Sequence, residues 1–349
     1  MTEFHSLVIS EIRKETPNSV SIAFDVPDSL RETFEFLAGQ YINIKYTLDG
    51  TELRRSYSLC SSPSSGELKV GVKKVKDGTF SKFANDALEV GDLLEVMPPM
   101  GHFSFEPNPD NRNVYAAFVA GSGITPVISI IKDVMEREPK SSFLLVYGNQ
   151  SLQEAMFYDE LEALKENYSG RLSVEYIFSR NKENNGMVGR IDRSVVNYLL
   201  KNKWGQTEFT RFYLCGPEEM IETVKDTLLD RGVKKEQILF ELFSSSEDGS
   251  LKEDHEGDTT ITITLDDEVE TFIMSKKKSV LDAALEHGLD APFSCQGGIC
   301  STCIARITKG KVEMRKNQIL TDSELEEGLV LTCQSHPTTS VLEIDYDDV

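Results

Sequence analysis

Four of the six cysteines in this 349-residue chain follow a spacing that strongly restricts what its C-terminal part can be. Three of them, Cys295, Cys300 and Cys303, lie in the stretch CQGGICSTC, and 29 residues separate the last of these from Cys333. In a reducing compartment, thiols concentrated in this way indicate metal binding or redox chemistry. The pattern predicts a site with three ligands on one loop and the fourth on a separate element.

The spacing C-x4-C-x2-C with a distant fourth cysteine is that of plant-type 2Fe–2S ligands, in which four thiolates surround two irons. A zinc site is one alternative, but structural zinc sites generally use pairs of C-x2-C, and this chain has a single such pair. A disulfide framework is another, and it requires an oxidising compartment. We therefore favour a 2Fe–2S cluster, and we expect Gly297 and Gly298 to let backbone N–H groups point at the sulfur atoms.

Composition limits the compartment and the partners. No apolar run approaches the roughly 20 residues of a membrane span, and the first residues lack the basic and apolar parts of a signal peptide. We therefore expect a cytoplasmic protein that does not enter membranes. The net charge of −21 argues against nucleic acid as a partner. From Ser244 onward there are 22 acidic and 9 basic residues, which either keep the chain soluble or dock it on a basic partner surface.

The sequence divides into four parts of different character. Residues 1–107 contain short β-rich segments such as SVSIAFDV, separated by turn residues, which predicts an antiparallel β-barrel. In residues 108–243, apolar strands such as VYAAFVA alternate with amphipathic helices, which predicts a parallel α/β sandwich. Residues 244–258 are acidic and almost free of apolar residues, as in a flexible linker. Residues 259–349 begin with a predicted hairpin and helix, and the cysteines follow.

Two segments of the barrel are candidates for binding a cofactor with a diphosphate. In the strand RRSYS, Arg55 could bind a diphosphate, Tyr57 could pack on an aromatic ring and Ser58 could hydrogen-bond a ring nitrogen. An ordinary amphipathic strand would show the same alternation. In DGTFS, Gly78 and Ser81 lie at a predicted helix N-terminus, which favours phosphate, although Ser81 could equally be a simple N-cap.

The segment AGSGITP connects the first predicted strand of the α/β part to its helix. Gly121 and Gly123 permit close backbone approach, and the following helix N-terminus suits a pyrophosphate. Pro126 suits the first turn of that helix. A plain tight turn between strand and helix is the alternative. The segments YGN, from Tyr147, and CGPEEM, from Cys215, occur at later strand ends, so that all three can face one cleft.

In this order the segments resemble the ferredoxin-NADP reductase family over residues 1 to about 243, and the remainder resembles a plant-type ferredoxin, a β-grasp fold. The order of flavin barrel, nicotinamide domain and ferredoxin is similar to that of the reductase subunits of multicomponent oxygenases. The nearest resemblance is to the reductase subunits of phenylacetyl-CoA epoxidases, and 3-ketosteroid-9α-hydroxylase reductases share the order. The resemblance implies FAD, or FMN as in some relatives, a 2Fe–2S cluster, and NADPH, with NADH as the alternative.

The resemblance also implies contacts at particular positions. The residues implied for FAD are Arg55, Ser56, Tyr57, Ser58, Gly71, Val72, Lys73, Gly78 and Ser81. Those implied for the nicotinamide nucleotide are Gly121, Gly123, Thr125, Pro126, Tyr147, Gly148, Asn149, Ser179, Arg180, Cys215, Gly216 and Pro217. The cluster ligands are the four cysteines.

Some of these implied contacts have alternatives, and so does Phe243, which the resemblance also implies. Ser179 and Arg180 are similar to the pair that holds the 2′-phosphate of NADP in the family, whereas Gln150 stands where some relatives carry a second arginine. Cys215 is implied as a nicotinamide contact, but a cysteine that ends a buried strand is often small apolar filler. Phe243 is implied over the flavin face, and a core or linker-anchoring aromatic is its alternative.

The function implied is electron transfer from NAD(P)H to FAD, then to the 2Fe–2S cluster, and then to an oxygenase or another redox protein. No acid–base side chain is obligatory, and Ser58, Cys215 and Phe243 are expected near the flavin and the nicotinamide. One alternative is a general reductase of flavodoxin, ferric complexes or quinones. The other is a non-catalytic iron–sulfur scaffold or sensor.

Overall fold

The computed structural model describes residues 4–48, 50–76, 78–180, 186–243 and 256–349. They form two compact units, one comprising Phe4–Phe243 and the other following it in sequence. The predicted acidic linker, residues 244–258, lies outside the described residues as far as residue 255. No helix in the described ranges combines the length and the hydrophobicity of a membrane span.

The first part of the Phe4–Phe243 unit is an antiparallel barrel, as predicted. Its order in the sheet is β4-β3-β6-β1-β2-β5. An antiparallel bridge between Leu59 and Val70 joins the two edge strands, so that the sheet closes on itself. Ile22, Ile42 and other apolar side chains fill the interior. The elements are β1 (His5–Thr16), β2 (Ser19–Asp25), β3 (Tyr41–Leu48), β4 (Thr51–Ser58), β5 (Leu68–Lys73), α1 (Phe80–Asp86) and β6 (Leu93–Val96).

The second part of this unit is a parallel sheet between helices, which confirms the predicted α/β fold. Its order is β10-β9-β8-β7-β11-β12. The chain runs outward from β7 to β10 and then crosses to β11, so the direction of winding reverses between β7 and β11. The elements are β7 (Val114–Ala120), α2 (Ile124–Arg137), β8 (Ser142–Asn149), α3 (Tyr158–Asn167), β9 (Leu172–Phe178), β10 (Met187–Val188), α4 (Arg193–Tyr198), a π-helical turn (Leu199–Lys203), β11 (Arg211–Cys215), α5 (Glu218–Asp230) and β12 (Ile238–Glu241).

The reversal of winding determines where a ligand can bind. In open parallel sheets, ligands bind outside the carboxyl ends of the strands at the point where the winding reverses. Helix α2 follows β7 there and buries Ile124, Val127, Ile128 and Ile131, the positions that the helical periodicity predicts. The structure therefore provides a crevice at the carboxyl ends of β7 and β11.

The C-terminal unit is a mixed sheet with one helix packed in its core. Strand β13 pairs with β14 through a hairpin and runs parallel to β19. The sheet order is β14-β13-β19-β15-β17, and β16 pairs separately with β18. The Ser279 hydroxyl caps helix α6 by accepting the Asp282 N–H at 3.1 Å. The elements are β13 (Asp258–Leu265), β14 (Glu268–Ser275), α6 (Val280–Glu286), β15 (Ile304–Lys309), β16 (Val312–Met314), α7 (Asp322–Glu326), β17 (Leu329–Leu331), β18 (Ser335–Pro337) and β19 (Val341–Asp345).

Candidate functional site

Strand β4 carries the Arg-x-Tyr-Ser segment, and its alternation divides the side chains between two faces. Arg55 is exposed, and its Nη1 donates to the preceding carbonyl oxygen at 2.7 Å. Tyr57 is half-buried, with its ring centroid 5.6 Å from that of Phe80. Ser56 lies on the other face and donates from Oγ to Asn43 Oδ1 at 2.7 Å. Arg55 and Tyr57 thus present a cation and an aromatic ring on one face, a combination that fits a flavin nucleotide with its diphosphate.

The turn before α1 has no room for a side chain at Gly78. A Cβ there would lie 2.3 Å from Ser81 Oγ and 2.4 Å from Val75 Cγ2. Ser81 Oγ accepts the Val75 N–H at 3.2 Å, and α1 begins at Phe80 with Thr79 as its N-cap residue. The interpretation of Ser81 as an N-cap is therefore wrong, because its hydroxyl closes the turn from inside the helix.

Strand β5 is where the barrel meets the α/β sheet. A Cβ on Gly71 would lie 2.6 Å from Thr125 Cγ2, so β5 packs directly on the first turn of α2. The Val72 side chain is fully buried in the barrel core. Lys73 Nζ lies 3.9 Å from the position that a Cβ on Gly121 would occupy. The strand therefore brings a cation to the loop that follows β7.

Close backbone approach forms the crevice between β7 and β11. Gly121 has a φ of +57°, and a Cβ on Gly123 would lie 2.3 Å from the Cys215 carbonyl oxygen. Gly216 has a φ of +154°, and a Cβ there would lie 3.1 Å from the Ala120 nitrogen. Gly123 and Gly216 have no room for a side chain because the two strand ends pack closely, whereas a Cβ on Gly121 would meet only Lys73 Nζ, so the backbone at Gly121 is left open to a ligand. The other predicted residues here are Thr125 and Pro126, buried in the first turn of α2, and Pro217, which directly precedes α5.

The carboxyl end of β8 holds an unpaired amide. The Tyr147 hydroxyl lies 3.1 Å from the Gly121 carbonyl oxygen and donates to it. Gly148 packs against Ile191, whose Cδ1 would be 3.2 Å from an added Cβ. The Asn149 amide is buried, and neither its oxygen nor its nitrogen has a hydrogen-bond partner among the described residues. A buried amide without partners fits a polar ligand in this crevice.

Ser179 and Arg180 extend the same edge of the sheet. They follow β9, and their backbone N–H groups donate to the carbonyl oxygens of Asn149 and Gln150, each at 2.9 Å. Both side chains are exposed. The structure thus brings a hydroxyl and a guanidinium beside the end of β8.

A buried carboxyl that the sequence interpretation missed lies between the barrel and the sheet. Ser58 Oγ donates to Glu241 Oε2 at 3.1 Å. Burial raises the pKa of Glu241 to about 8, although the Ser58 hydrogen bond lowers it. Burial, together with the charge of Glu241, raises the pKa of the Cys215 thiol well above its usual value. Cys215 is therefore protonated at neutral pH, in agreement with its interpretation as a contact and not a nucleophile.

A feature of the sequence could have identified Glu241 as a candidate functional residue. It is the single charged residue in the strand ILFE, and buried charged residues in apolar strands are often functional. Phe243 follows two residues later and is 41% exposed, so it is not a core residue.

The four cysteines predicted as ligands form two pairs of neighbouring sulfurs. Cys295 hydrogen-bonds with Cys300, and Cys303 with Cys333. The Cys300 thiol lowers the pKa of Cys295 to about 6, with help from backbone N–H groups and against the effect of burial. A 2Fe–2S cluster requires two thiolates on each iron, and the two pairs fit this requirement.

The backbone around the cysteines is tightly turned. Gln296 has a φ of +51° and Gly298 one of +70°, and a Cβ on Gly298 would lie 2.8 Å from the Lys316 carbonyl oxygen. The Gly297 N–H donates to Cys295 Sγ at 3.3 Å, as expected of a loop that directs amides at its sulfurs. Across the described residues, no three His, Cys, Asp or Glu side chains converge as ligands of a metal ion.

Three family models match the chain in the order of its folds. They are the Oxidoreductase FAD-binding domain over residues 6–105, the Oxidoreductase NAD-binding domain over residues 118–226, and the 2Fe-2S iron-sulfur cluster binding domain over residues 263–338. These matches confirm the predictions of FAD, of a 2Fe–2S cluster, of a nicotinamide cofactor and of an oxidoreductase.

Several relatives match along nearly the whole chain. The chain is 37% identical to a subunit of the 1,2-phenylacetyl-CoA epoxidase of Escherichia coli (strain K12), with 99% of each chain covered. It is 32% identical to the ferredoxin reductase component of 3-ketosteroid-9-alpha-monooxygenase of Rhodococcus rhodochrous, with 97% of this chain and 96% of that one covered. The resemblance drawn from the motifs is confirmed.

Solved structures that share the fold include two reductases. Phthalate dioxygenase reductase matches with a TM-score of 0.60 at 20% identity, with 98% of each chain covered. A ferredoxin NADP+ reductase from Neisseria gonorrhoeae, with bound FAD and NADP, matches with a TM-score of 0.59 at 23% identity, over 70% of this chain and 100% of that one.

Proposed function

The chain belongs to the family of flavin and iron–sulfur reductase components that includes the 1,2-phenylacetyl-CoA epoxidase subunit of Escherichia coli, and from this premise we propose that it delivers electrons from NADPH to an oxygenase. The observation that carries the proposal is that this chain contains an FAD-binding, an NAD-binding and a 2Fe–2S domain. Relatives of the chain are named as reductase components of oxygenases. FAD, when held by the barrel residues, would supply the chemistry that links a two-electron donor, the nicotinamide, to a one-electron acceptor, the cluster. The oxygenase is of the phenylacetyl-CoA epoxidase type or acts on another aromatic or steroid substrate.

The barrel residues hold the flavin in this proposal. Arg55 neutralises the diphosphate, and Tyr57 packs on the flavin ring system. Ser58, held by Glu241, hydrogen-bonds the ring. Gly78 and Ser81 shape the phosphate turn at α1, since a side chain at Gly78 would fill it. The backbone of β5 lies alongside.

The crevice at the ends of β7 and β11 takes the nicotinamide nucleotide. Gly121 and Gly123 admit the diphosphate to the N-terminus of α2. The Asn149 amide is proposed to bind the nucleotide, because its buried oxygen and nitrogen have no described partner. Glu241, mostly protonated at neutral pH, offers an uncharged donor beside Ser58, and it pairs with Cys215 in the sheet. These residues position the nucleotide and exclude water, and this is the contribution that the protein makes to hydride transfer.

We also propose that the nucleotide is NADPH. Ser179 and Arg180 are exposed at the edge of the sheet beside Asn149, where a guanidinium could bind a 2′-phosphate through two hydrogen bonds. NAD would leave Arg180 without this partner.

Four thiolates hold the cluster in the C-terminal unit. Cys295 with Cys300, and Cys303 with Cys333, are proposed as the ligand pairs of the two irons. The loop N–H groups stabilise the thiolates and so adjust the reduction potential.

The experiment that tests the proposal is an anaerobic absorbance titration of the purified protein with NADPH and, separately, with NADH. Loss of both the flavin and the iron–sulfur absorbance, at lower concentrations of NADPH, is expected. The purified oxygenase and its substrate are then added, and formation of the oxygenated product is measured. If the flavin is reduced while an intact cluster stays oxidised, the internal electron path is wrong. If both are reduced but no oxygenase from the same cells turns over, the partner is wrong.

A further inference from the structure

A charged contact joins the end of β5 to the turn that follows β8. Lys73, at the end of β5, places its Nζ 3.6 Å from Glu154 Oε2. Glu154 ends the short 3-10 turn that follows β8. Its other oxygen, Oε1, accepts a hydrogen bond from Asn18 Nδ2 at 3.0 Å. The contact joins the barrel to the α/β sheet within one compact unit.

Lys73 also lies beside the loop where the nucleotide diphosphate is expected. Its Nζ is 3.9 Å from the position of a Cβ on Gly121, the first residue of that loop. Phosphates bind to glycine loops at helix N-termini through backbone N–H groups, and a nearby cation adds to this attraction. A diphosphate on the loop therefore comes within reach of the same ammonium group that Glu154 contacts.

The contact between Lys73 and Glu154 is suited to exchange. At 3.6 Å it is longer than a charge-assisted hydrogen bond of about 2.7–2.9 Å. The two side chains are 25% and 26% exposed, so water screens the pair. The Glu154 carboxylate is also held by the Asn18 amide, through a hydrogen bond that does not involve Lys73. An anion with more charge than one carboxylate can therefore take Lys73 without moving Glu154.

We propose that Glu154 competes with the nucleotide diphosphate for Lys73, and thereby weakens nucleotide binding and promotes release of the oxidised nucleotide. The inference rests on the proposed function, because it assumes that a nicotinamide nucleotide binds on the loop after β7. With the crevice empty, Glu154 neutralises Lys73. With the nucleotide bound, Lys73 contacts the diphosphate, and the Glu154 carboxylate is left facing an anion.

The test is a double-mutant cycle on the full-length, FAD-loaded protein. The dissociation constant of the oxidised nucleotide, NADP+ or NAD+, is measured by calorimetry for wild type, Glu154→Gln, Lys73→Gln and the double variant. Glu154→Gln should lower the dissociation constant about two- to fivefold, the range that partly exposed ion pairs are worth. Lys73→Gln should raise it, and Glu154→Gln should have no further effect on that background. High salt should reduce the difference.

Glu160→Gln is the matched control. It also removes one carboxylate from the same unit, but Glu160 pairs with Lys132 at 2.6 Å and not with Lys73. The dissociation constant of the oxidised nucleotide for Glu160→Gln should equal that for wild type. If wild type binds neither nucleotide, the proposed function is wrong. If wild type binds the nucleotide but Glu154→Gln does not bind it more tightly, the competition is refuted. It is also refuted if Glu154→Gln tightens binding as much in the Lys73→Gln background as in wild type.

Discussion

Replacement of Glu241 by glutamine tests most directly whether the protonated carboxyl supports flavin reduction. The carboxyl is 8% exposed, accepts the Ser58 hydroxyl at 3.1 Å and has a pKa raised by burial to about 8. At pH 7 it is therefore mostly protonated. Ionisation would require solvation of a buried carboxylate, and the water admitted would oppose close packing of the nicotinamide. We expect the protonated form to be the one that supports rapid flavin reduction.

The magnitude follows from the pKa. The rate of flavin reduction in wild type should halve near pH 8 and fall about tenfold for each further pH unit. Stability should change as well. The folded pKa, about 8, exceeds the ordinary glutamate value of 4.5, so the folded state binds the proton more tightly. The contribution of the Glu241 carboxyl to stability is therefore fully present below pH 4.5 and is lost by about 1.4 kcal/mol per pH unit up to pH 8, about 5 kcal/mol in all. Glutamine, which cannot ionise, should abolish both effects.

The assay is anaerobic stopped-flow reduction of the flavin between pH 6 and about 9.5, a range set by the raised pKa, with urea unfolding of the same samples. Glu241→Gln should give a flat profile. Ser58→Ala should shift the alkaline limb to higher pH, because the Ser58 hydrogen bond lowers the pKa of Glu241. Retention of the wild-type limb in Glu241→Gln would refute the assignment, and so would a shift to lower pH in Ser58→Ala.

Three further predictions concern the other parts of the site. Arg180→Ala should raise KM for NADPH at least about tenfold, the cost of a charge-assisted hydrogen bond, and change KM for NADH less than about twofold in steady-state assays. Gly123→Ala should lower the free energy of unfolding by about 1–3 kcal/mol, seen as a lower melting temperature, and should weaken nucleotide binding, because the added Cβ would lie 2.3 Å from a backbone oxygen. If Gly123→Ala bound the nucleotide as tightly as wild type, the close approach of the backbone at Gly123 would be contradicted. Cys333→Ser should lose the iron–sulfur absorbance and keep flavin reduction by NADPH, and an intact 2Fe–2S spectrum would exclude Cys333 as a ligand.

The cluster cysteines could be predicted from the sequence because their signal is local. Three ligands and the glycines between them lie in nine residues, and no tertiary contact is needed to recognise the spacing. The barrel and the parallel sheet could be predicted for a similar reason, since alternation and apolar runs depend on neighbouring residues. The barrel, the parallel sheet and the 2Fe–2S domain are confirmed, and the individual cysteine ligands stay a prediction.

Glu241 and its environment could not be predicted in this way. Its partner Ser58 is 183 residues away in sequence, and the two meet only because the barrel packs on the parallel sheet. The state of Asn149 was equally hidden, since a motif can name the residue but cannot show that its amide lacks a partner among the described residues. The N-cap interpretation of Ser81 was wrong because the Val75 N–H, which precedes the helix, competes for the same hydroxyl.

If FAD binds to β4 and β5 as proposed, the closure of the barrel couples FAD binding to folding. The Leu59–Val70 bridge and the hydrogen bond from the Cys60 N–H to the Lys69 carbonyl oxygen join its edges beyond β4 and along β5. The residues proposed to hold FAD belong largely to these two strands, on either side of that seam. A ligand that spans the seam adds its binding free energy to closure. The unloaded chain should then open first between β4 and β5, where amide hydrogen exchange would be fastest, and flavin supply would decide how much of the protein survives proteolysis.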